Sequence, residues 1–200
     1  MSAQRSKRSG GKGKTSSGGP GKFADKSNVY FLLVMGLPGS GKSTLSCELE
    51  RRGAWVRVNQ DDQGDRELVL KTMVRALRRN ESVVLDRCCV HLKERRMWLR
   101  EAQKLGVNNC HVVFMDTPLE ECVRRVLERK DHPTLRGGSA AEGSSREVIE
   151  RFARGMEAPL EREGFLSVQR VETRDDVRRI TNEFLALLAD SNQKAKSSKR

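Results

Sequence analysis

Long hydrophobic runs are missing from this 200-residue chain, and none approaches the roughly 18 apolar residues needed to cross a bilayer. The N-terminal segment also lacks the apolar core of roughly 7 to 15 residues that marks a secretory signal. These two absences predict a soluble protein with no membrane partner, located inside the cell in nucleus or cytoplasm. Cysteines are scarce and odd in number: Cys47, Cys88, Cys89, Cys110 and Cys122 contain no C-x-x-C pair. That argues against a disulfide framework or a zinc site and leaves most of them as small core residues. His91, His111 and His132 share no metal-ligand spacing and read as structural. Trp55 and Trp98 lie in apolar patterns, which makes them core residues. No internal repeat is visible.

Negative charge is in deficit: 27 Asp and Glu face 39 Lys and Arg, a formal net charge of +12. Residues 1–28 hold +6 of it and residues 190–200 another +3, leaving +3 for everything between. Residues 1–27 are mostly Ser, Gly, Lys and Arg without apolar periodicity, too poor in burial to offset the entropy of ordering. Two disordered basic tails, 1–27 and 190–200, are therefore expected around one domain at 28–189. Such tails suit a phosphate-rich partner or a nuclear address.

Within the domain, short apolar runs alternate with helical periodicity, the pattern of a parallel α/β sheet. Strands are predicted over 29–35, 54–58, 82–86, 110–115 and 167–171. Helices are predicted over 43–52, 65–79, 92–105, 145–157 and 174–189. Thr117-Pro-Leu-Glu120 has the form of a capping box with Pro at the first helical position, so another helix should run from there to about Lys130. The Gly-, Ser- and Pro-rich stretch 131–145 reads as a mobile loop, and with its flanks (about 124–146) as a hinged lid.

Gly36-Leu-Pro38-Gly39-Ser40-Gly41-Lys42-Ser43-Thr44 matches G-x-x-x-x-G-K-[ST] in full, with a strand before it and a helix after it. Gly39 and Gly41 let backbone N–H groups turn toward a phosphate, and the helix N-terminus adds its positive dipole end. Lys42 supplies a point charge for the β- and γ-phosphates, and the Ser43 hydroxyl is placed to complete a Mg²⁺ shell. No [NT]-K-x-D guanine-reading motif occurs, which favours ATP over GTP.

Two acids follow at the carboxyl ends of strands, where ligands bind in open α/β sheets. Asp61, in Asn59-Gln60-Asp61-Asp62, can accept the proton of an attacking hydroxyl; alternatively, Asp61 and Asp62 cap the helix beginning near Asp65. Asp86 can hold a Mg²⁺-bound water, orient a nearby arginine, or cap the loop after its strand. Arg125 and Arg129, one helical turn apart, share a face leading into the lid, flanked by Arg124 and Arg136. They can follow charge onto a leaving group, or Arg125 can simply pair with Glu121 on a solvated helix.

Taken with Leu85-Asp86-Arg87 and Met115-Asp116-Thr117-Pro118, these motifs resemble the polynucleotide 5′-hydroxyl kinases over about residues 29–171. The likeness extends to the phage-type enzyme, the kinase half of the animal end-healing enzyme and the kinase module of fungal RNA ligases. Arg129-Lys-Asp-His-Pro-Thr-Leu135 and Glu163-Gly164-Phe165 also look like the kinase module of plant and fungal aprataxin-like proteins. The resemblance implies a P-loop kinase three-layer sandwich with a five-stranded parallel sheet in order 2-3-1-4-5. It further implies ATP and Mg²⁺ at Lys42 and Ser43, a general base at Asp61, a lid arginine at Arg129 with Arg125 one turn before it, and an acid at Asp86. The phage-type enzyme carries an arginine three positions after its base, where Gly64 stands here; Arg66 takes that place in the pattern Asn-x-Asp-x-x-Gly-x-Arg.

The expected function is transfer of the γ-phosphoryl of ATP to a 5′-hydroxyl of RNA or DNA in end healing or repair. Two rivals retain the motifs: a small-molecule kinase acting on a sugar or nucleoside hydroxyl, and a nucleic-acid-binding adaptor with a non-catalytic nucleotide site.

Overall fold

All seven residues of β1 (Tyr30–Gly36) are buried, as a strand covered on both faces requires. In a computed structural model, which describes residues 26–128 and 142–197, β1 is the middle strand of a five-stranded sheet. It pairs in parallel with β3 (Ser82–Asp86) and β4 (Asn109–Met115). β2 (Trp55–Asn59) lies outside β3 and β5 (Ser167–Val171) outside β4, giving the expected order 2-3-1-4-5.

Because side chains alternate across a strand, β1 feeds two cores. Phe31, Leu33 and Met35 pack with Val69, Met73 and Leu77 of α3 (Arg66–Arg78) and with Trp98 and Ala102 of α4 (Leu92–Lys104). Leu32 and Val34 pack with Leu45 and Leu49 of α1 (Lys42–Arg52) and with Ile180 and Phe184 of α7 (Arg174–Ser197). A third cluster joins Leu37 to α5 (Leu119–Glu128) and α6 (Glu142–Gly155) through Cys122, Val126 and Ile149. Trp55 and Trp98 are buried as expected, as are Cys89, Cys110 and Cys122; burial pushes the Cys110 thiol up to about 12.

Four expectations are corrected. A short helix, α2 (Gln60–Gln63), interrupts the segment after β2; there the Asn59 side chain accepts from the Asp61 amide at 2.6 Å. The α3 cap is Asp65, accepting from Glu67 at 3.2 Å, and not Asp61 or Asp62. α7 does not stop at Ala189 but runs to Ser197, through most of the stretch assigned to a disordered tail. Its polar composition hid an anchor, for the Ser191 hydroxyl is buried and lies 2.7 Å from the Tyr30 hydroxyl. At the other end, two residues assigned to the N-terminal tail are tied to the domain: the Lys26 ammonium donates to the Leu77 carbonyl at 2.5 Å, and the Ser27 carbonyl accepts from Asn109 at 2.6 Å. The rest of the N-terminal tail, residues 198–200 and the core of the expected lid, 129–141, lie outside the described residues.

One polar link inside the fold has no local sequence signature. Arg95 and Glu163 are each 1% exposed and form a bidentate pair at 2.9 and 2.7 Å. Arg95 also donates to the carbonyls of Cys89, Val90 and Glu157, which ties the turn after β3 to the chain after α6. Removing one partner leaves a buried charge unpaired. Glu163→Ala is therefore expected to lower unfolding stability by about 3–5 kcal/mol in urea titrations; a loss below about 1 kcal/mol would show the pair to be dispensable.

Candidate active site

The phosphate loop lies between β1 and α1, at the carboxyl edge of the sheet. Gly39 has φ +84°, and a Cβ there would stand 2.4 Å from the Cys122 carbonyl of α5, so only glycine fits. Gly41 precedes α1 at φ +106°. Neighbouring side chains hold the loop. The Ser40 carbonyl accepts from the Thr117 hydroxyl at 2.9 Å and from Arg125 Nη1 at 3.4 Å, while Lys42 Nζ donates to the Leu37 carbonyl at 2.8 Å. Lys42 is only 8% exposed.

Thr117 and Glu120 were expected to form a capping box at the start of α5, yet both side chains bond to other parts of the fold. Thr117 grips the phosphate loop, and Glu120 pairs with Arg146 of α6 at 2.7 Å. Arg125 makes the pairing with Glu121 expected in one of the readings made for it, and it also reaches the phosphate loop. Its Nε pairs with Glu121 at 2.7 Å while Nη1 touches the loop. Hydrogen bonds from Arg124 and Arg125 pull the Glu121 carboxyl down to about 2, so this tether is charged at any physiological pH. Arg129 and Arg136 lie outside the described residues.

Two cavities border this loop. One, of about 870 Å³, is walled by Ser40, Gly41, Thr44 and Arg125 together with Thr173, just before α7, and Thr181 of α7. The other, of about 430 Å³, gathers Pro38, Gly39, Lys42, Ser43, Asp61 and Asp86. Gly41 lines both. Gly36 ends β1 beneath the loop, where a Cβ would meet the Met115 carbonyl at 2.6 Å. Arg66 is exposed at the first turn of α3 and is not among the residues lining the smaller cavity.

Asp61 and Asp86 sit in contrasting surroundings. Asp86, 3% exposed, receives three hydrogen bonds on Oδ2: from Ser46 at 2.9 Å, Arg57 at 3.0 Å and Asn59 at 2.8 Å. It does not cap the following loop, and of the roles weighed for it, orienting an arginine is the one these contacts display. Asp61 is exposed, and its carboxylate has no hydrogen bond or ion pair among the described residues. Asn59 joins the two sites, since its amide nitrogen binds Asp86 while its oxygen holds the Asp61 backbone.

The residues present fit a magnesium ion. Ser43 stands on the first turn of α1 at the cavity wall, and Asp86 has Oδ1 left to reach a metal-bound water. Mg²⁺ keeps several waters and needs few protein ligands.

Arg57 and Ser46 were missed in the sequence, and Arg87 was noted there only as part of the motif Leu85-Asp86-Arg87. Arg57 forms ion pairs with Asp62 at 2.7 Å and Asp86 at 3.0 Å, while its Nε donates to Ser46 at 3.1 Å. An arginine between two valines of a strand was the available signal. Its partner could not be read, because the pairing depends on β2 lying beside β3 with Asn59 opposite Asp86.

Comparison with known proteins agrees with this architecture. No helix among the described residues is long and apolar enough to cross a membrane. The Arabidopsis thaliana protein named Transcription factor bHLH140 is 31% identical over 172 residues, covering 80% of this chain and 18% of that protein. The Bifunctional polynucleotide phosphatase/kinase of Schizosaccharomyces pombe is 31% identical over 94 residues, covering 47% of this chain and 23% of its own. The chain thus spans less than a quarter of the length of either relative. Among solved structures, a fungal RNA kinase superposes with TM-score 0.60 at 19% identity, covering 84% of this chain and 96% of that one. Kti12 of Chaetomium thermophilum, in complex with ADP-AlF3, gives 0.57 at 17%, covering 79% and 98%. At such identities these likenesses speak for the fold, a P-loop kinase fold that implies a nucleotide site. A family model matches residues 31–159, over half the chain and all the phosphate loop, so the protein belongs to the AAA domain family AAA_33.

Proposed function

We propose that this protein is an ATP-dependent polynucleotide 5′-hydroxyl kinase acting on RNA or DNA ends in healing or repair. The observation that carries the reading is the pair of cavities meeting at Gly41: one can take a nucleotide, and the other presents the unpaired Asp61 carboxylate beside Lys42. The motifs shared with 5′-hydroxyl kinases and the partial likeness to the S. pombe phosphatase/kinase support a polynucleotide as acceptor.

In this reading the β- and γ-phosphates of ATP lie on the loop amides from Gly36 to Thr44, with Lys42 as the buried counter-charge. Ser43, with Asp86 through a water, would hold Mg²⁺, which neutralises phosphate charge when bound. Asp61 takes the proton of the 5′-hydroxyl as its oxygen attacks the γ-phosphorus, and the bond to the β-phosphate oxygen breaks. Arg125, already on the Ser40 carbonyl, stabilises charge moving onto ADP, with Arg129 assigned the same task. The basic termini add salt-sensitive attraction to the polymer in nucleus or cytoplasm.

The test is one panel of γ-labelled ATP with 5′-hydroxyl RNA, 5′-hydroxyl DNA, nucleosides and sugars. Label is expected on oligonucleotide 5′ ends. Label on small molecules alone would make the protein a small-molecule kinase, and ATP binding without transfer would favour the adaptor.

A further inference from the structure

Ion pairing separates the exposed cations of the two helix layers. On the α1–α7 side of the sheet, Arg51 pairs with Glu48, and Arg179 with Asp176 and Glu183. The α3–α4 side is different. There Arg75, Arg78, Arg79, Lys93, Arg96 and Arg100 are exposed, and their side chains have no ion pair or hydrogen bond among the described residues. Residues 66–79 and α4 together hold ten Lys and Arg, one of them the buried Arg95, against three acids, although residues 29–189 net only +3. The rest of the domain is therefore net negative, and its positive surplus belongs to one face.

Helical spacing orders these cations. Lys93, Arg96 and Arg100 follow at i, i+3 and i+7 on α4, opposite the buried Arg95, Trp98, Leu99 and Ala102. Arg75 and Arg78 lie one turn apart on α3, opposite Val69, Met73 and Ala76, and both helices rest on the same core. Helix stability does not explain the set, because Lys93 stands in the first turn of α4, where the helix dipole disfavours a cation.

The face is continuous with the candidate active site. Val90 and Glu94, at the start of α4, line the cavity of Asp61, and α3 begins just after the short helix that carries Asp61. At its far end α3 meets Lys26, whose ammonium donates to the Leu77 carbonyl and is held below its usual pKa by burial and by nearby Arg78. Residues 1–25 continue from there with six more Lys and Arg. No Phe, Tyr or Trp is exposed among the described residues, so the face has no ring on which a base could stack.

We infer that the outer face of α3 and α4 binds the phosphodiester backbone of the strand leading away from the reacting 5′ end, without reading its bases. This rests on the kinase reading above and deepens it, because the acceptor is then a strand and not a single nucleotide. The 13 residues of α3 span about 20 Å, the axial length of about six stacked nucleotides.

Fluorescence anisotropy with a 5′-phosphorylated oligonucleotide of about 12 nucleotides, which cannot accept a phosphoryl group, tests this in the full chain. The variants are R75Q/R78Q, R96Q/R100Q and, from the opposite layer, R51Q/R179Q, each checked by thermal melt. Either face variant is expected to weaken binding about tenfold in about 0.1 M salt and to flatten the slope of log K against log salt by about 1.4, the share of two single-strand phosphates. The opposite-layer variant should stay within about twofold of wild type. With 5′-hydroxyl strands of graded length, the face variants should lose the advantage in KM of about six nucleotides over two while kcat holds. Failure of the wild type to bind, equal binding by the face variants, or an equal loss in R51Q/R179Q overturns the inference. Polyglutamate of matched charge that displaces the strand as well as unlabelled oligonucleotide does would assign the face to an acidic polypeptide and overturn it too. Binding without any transfer to a 5′-hydroxyl would sink the kinase reading alone, since the anisotropy comparison decides the face by itself.

Discussion

Lys42→Ala is expected to reduce γ-phosphoryl transfer by about 10³-fold or more, while the protein stays folded. Lys42 is the cation of the phosphate loop, 8% exposed, at the wall of the cavity shared with Asp61 and Asp86. In so shielded a place its charge acts on a triphosphate with little competition from water, so its loss bears on the moving phosphoryl group more than on the resting protein. The structural loss is one hydrogen bond, from Nζ to the Leu37 carbonyl, worth about 1 kcal/mol. Single-turnover transfer to a 5′-hydroxyl oligonucleotide at saturating ATP, read beside a thermal melt, separates the two effects. Residual activity within tenfold of wild type would mean that the chemistry does not take place at this loop.

The second large effect is expected at Asp61. Asp61→Asn keeps size and shape and removes only the basic oxygen, and the bond that positions the residue, from its own amide to Asn59, belongs to the backbone and survives. Loss of a general base lowers kcat by roughly 10²- to 10⁴-fold. ATP affinity, set by the loop and by the larger cavity, should stay almost intact. Normal turnover in this variant would remove Asp61 from the chemistry. Asp86→Asn is a poorer probe, because Oδ2 of Asp86 gathers Ser46, Arg57 and Asn59, and its change disturbs three neighbours at once.

What was legible in the sequence is what short-range physics controls. The apolar run at Tyr30–Gly36 announces a strand covered on two faces, and Gly39 and Gly41 announce a backbone turned toward a phosphate. Asp61 and Asp86 were found because the rule placing ligands at the carboxyl ends of parallel strands needs only the strands. Local rules misread the residues whose partners lie far along the chain. Thr117 and Glu120 spell a capping box, yet they spend their side chains on Ser40 and on Arg146. The polar stretch after Ala189 carries no apolar signal, yet Ser191 is buried against Tyr30 from 161 positions away.

By itself the sequence determined the strand and helix pattern, the phosphate loop and the identity of the candidate base, because these depend on periodicity and on residues within one turn of each other. Only the tertiary structure decided how the arginines divide their work. Setting β2 against β3 satisfies Arg57 on Asp86 and Asp62, and packing α4 beneath the turn after β3 satisfies Arg95 on Glu163. The same packing clamps Arg87 between Glu94 and Trp98 with one nitrogen unmatched. A guanidinium's availability is a balance of acceptors in space, which strand order and register set and spacing along the chain does not.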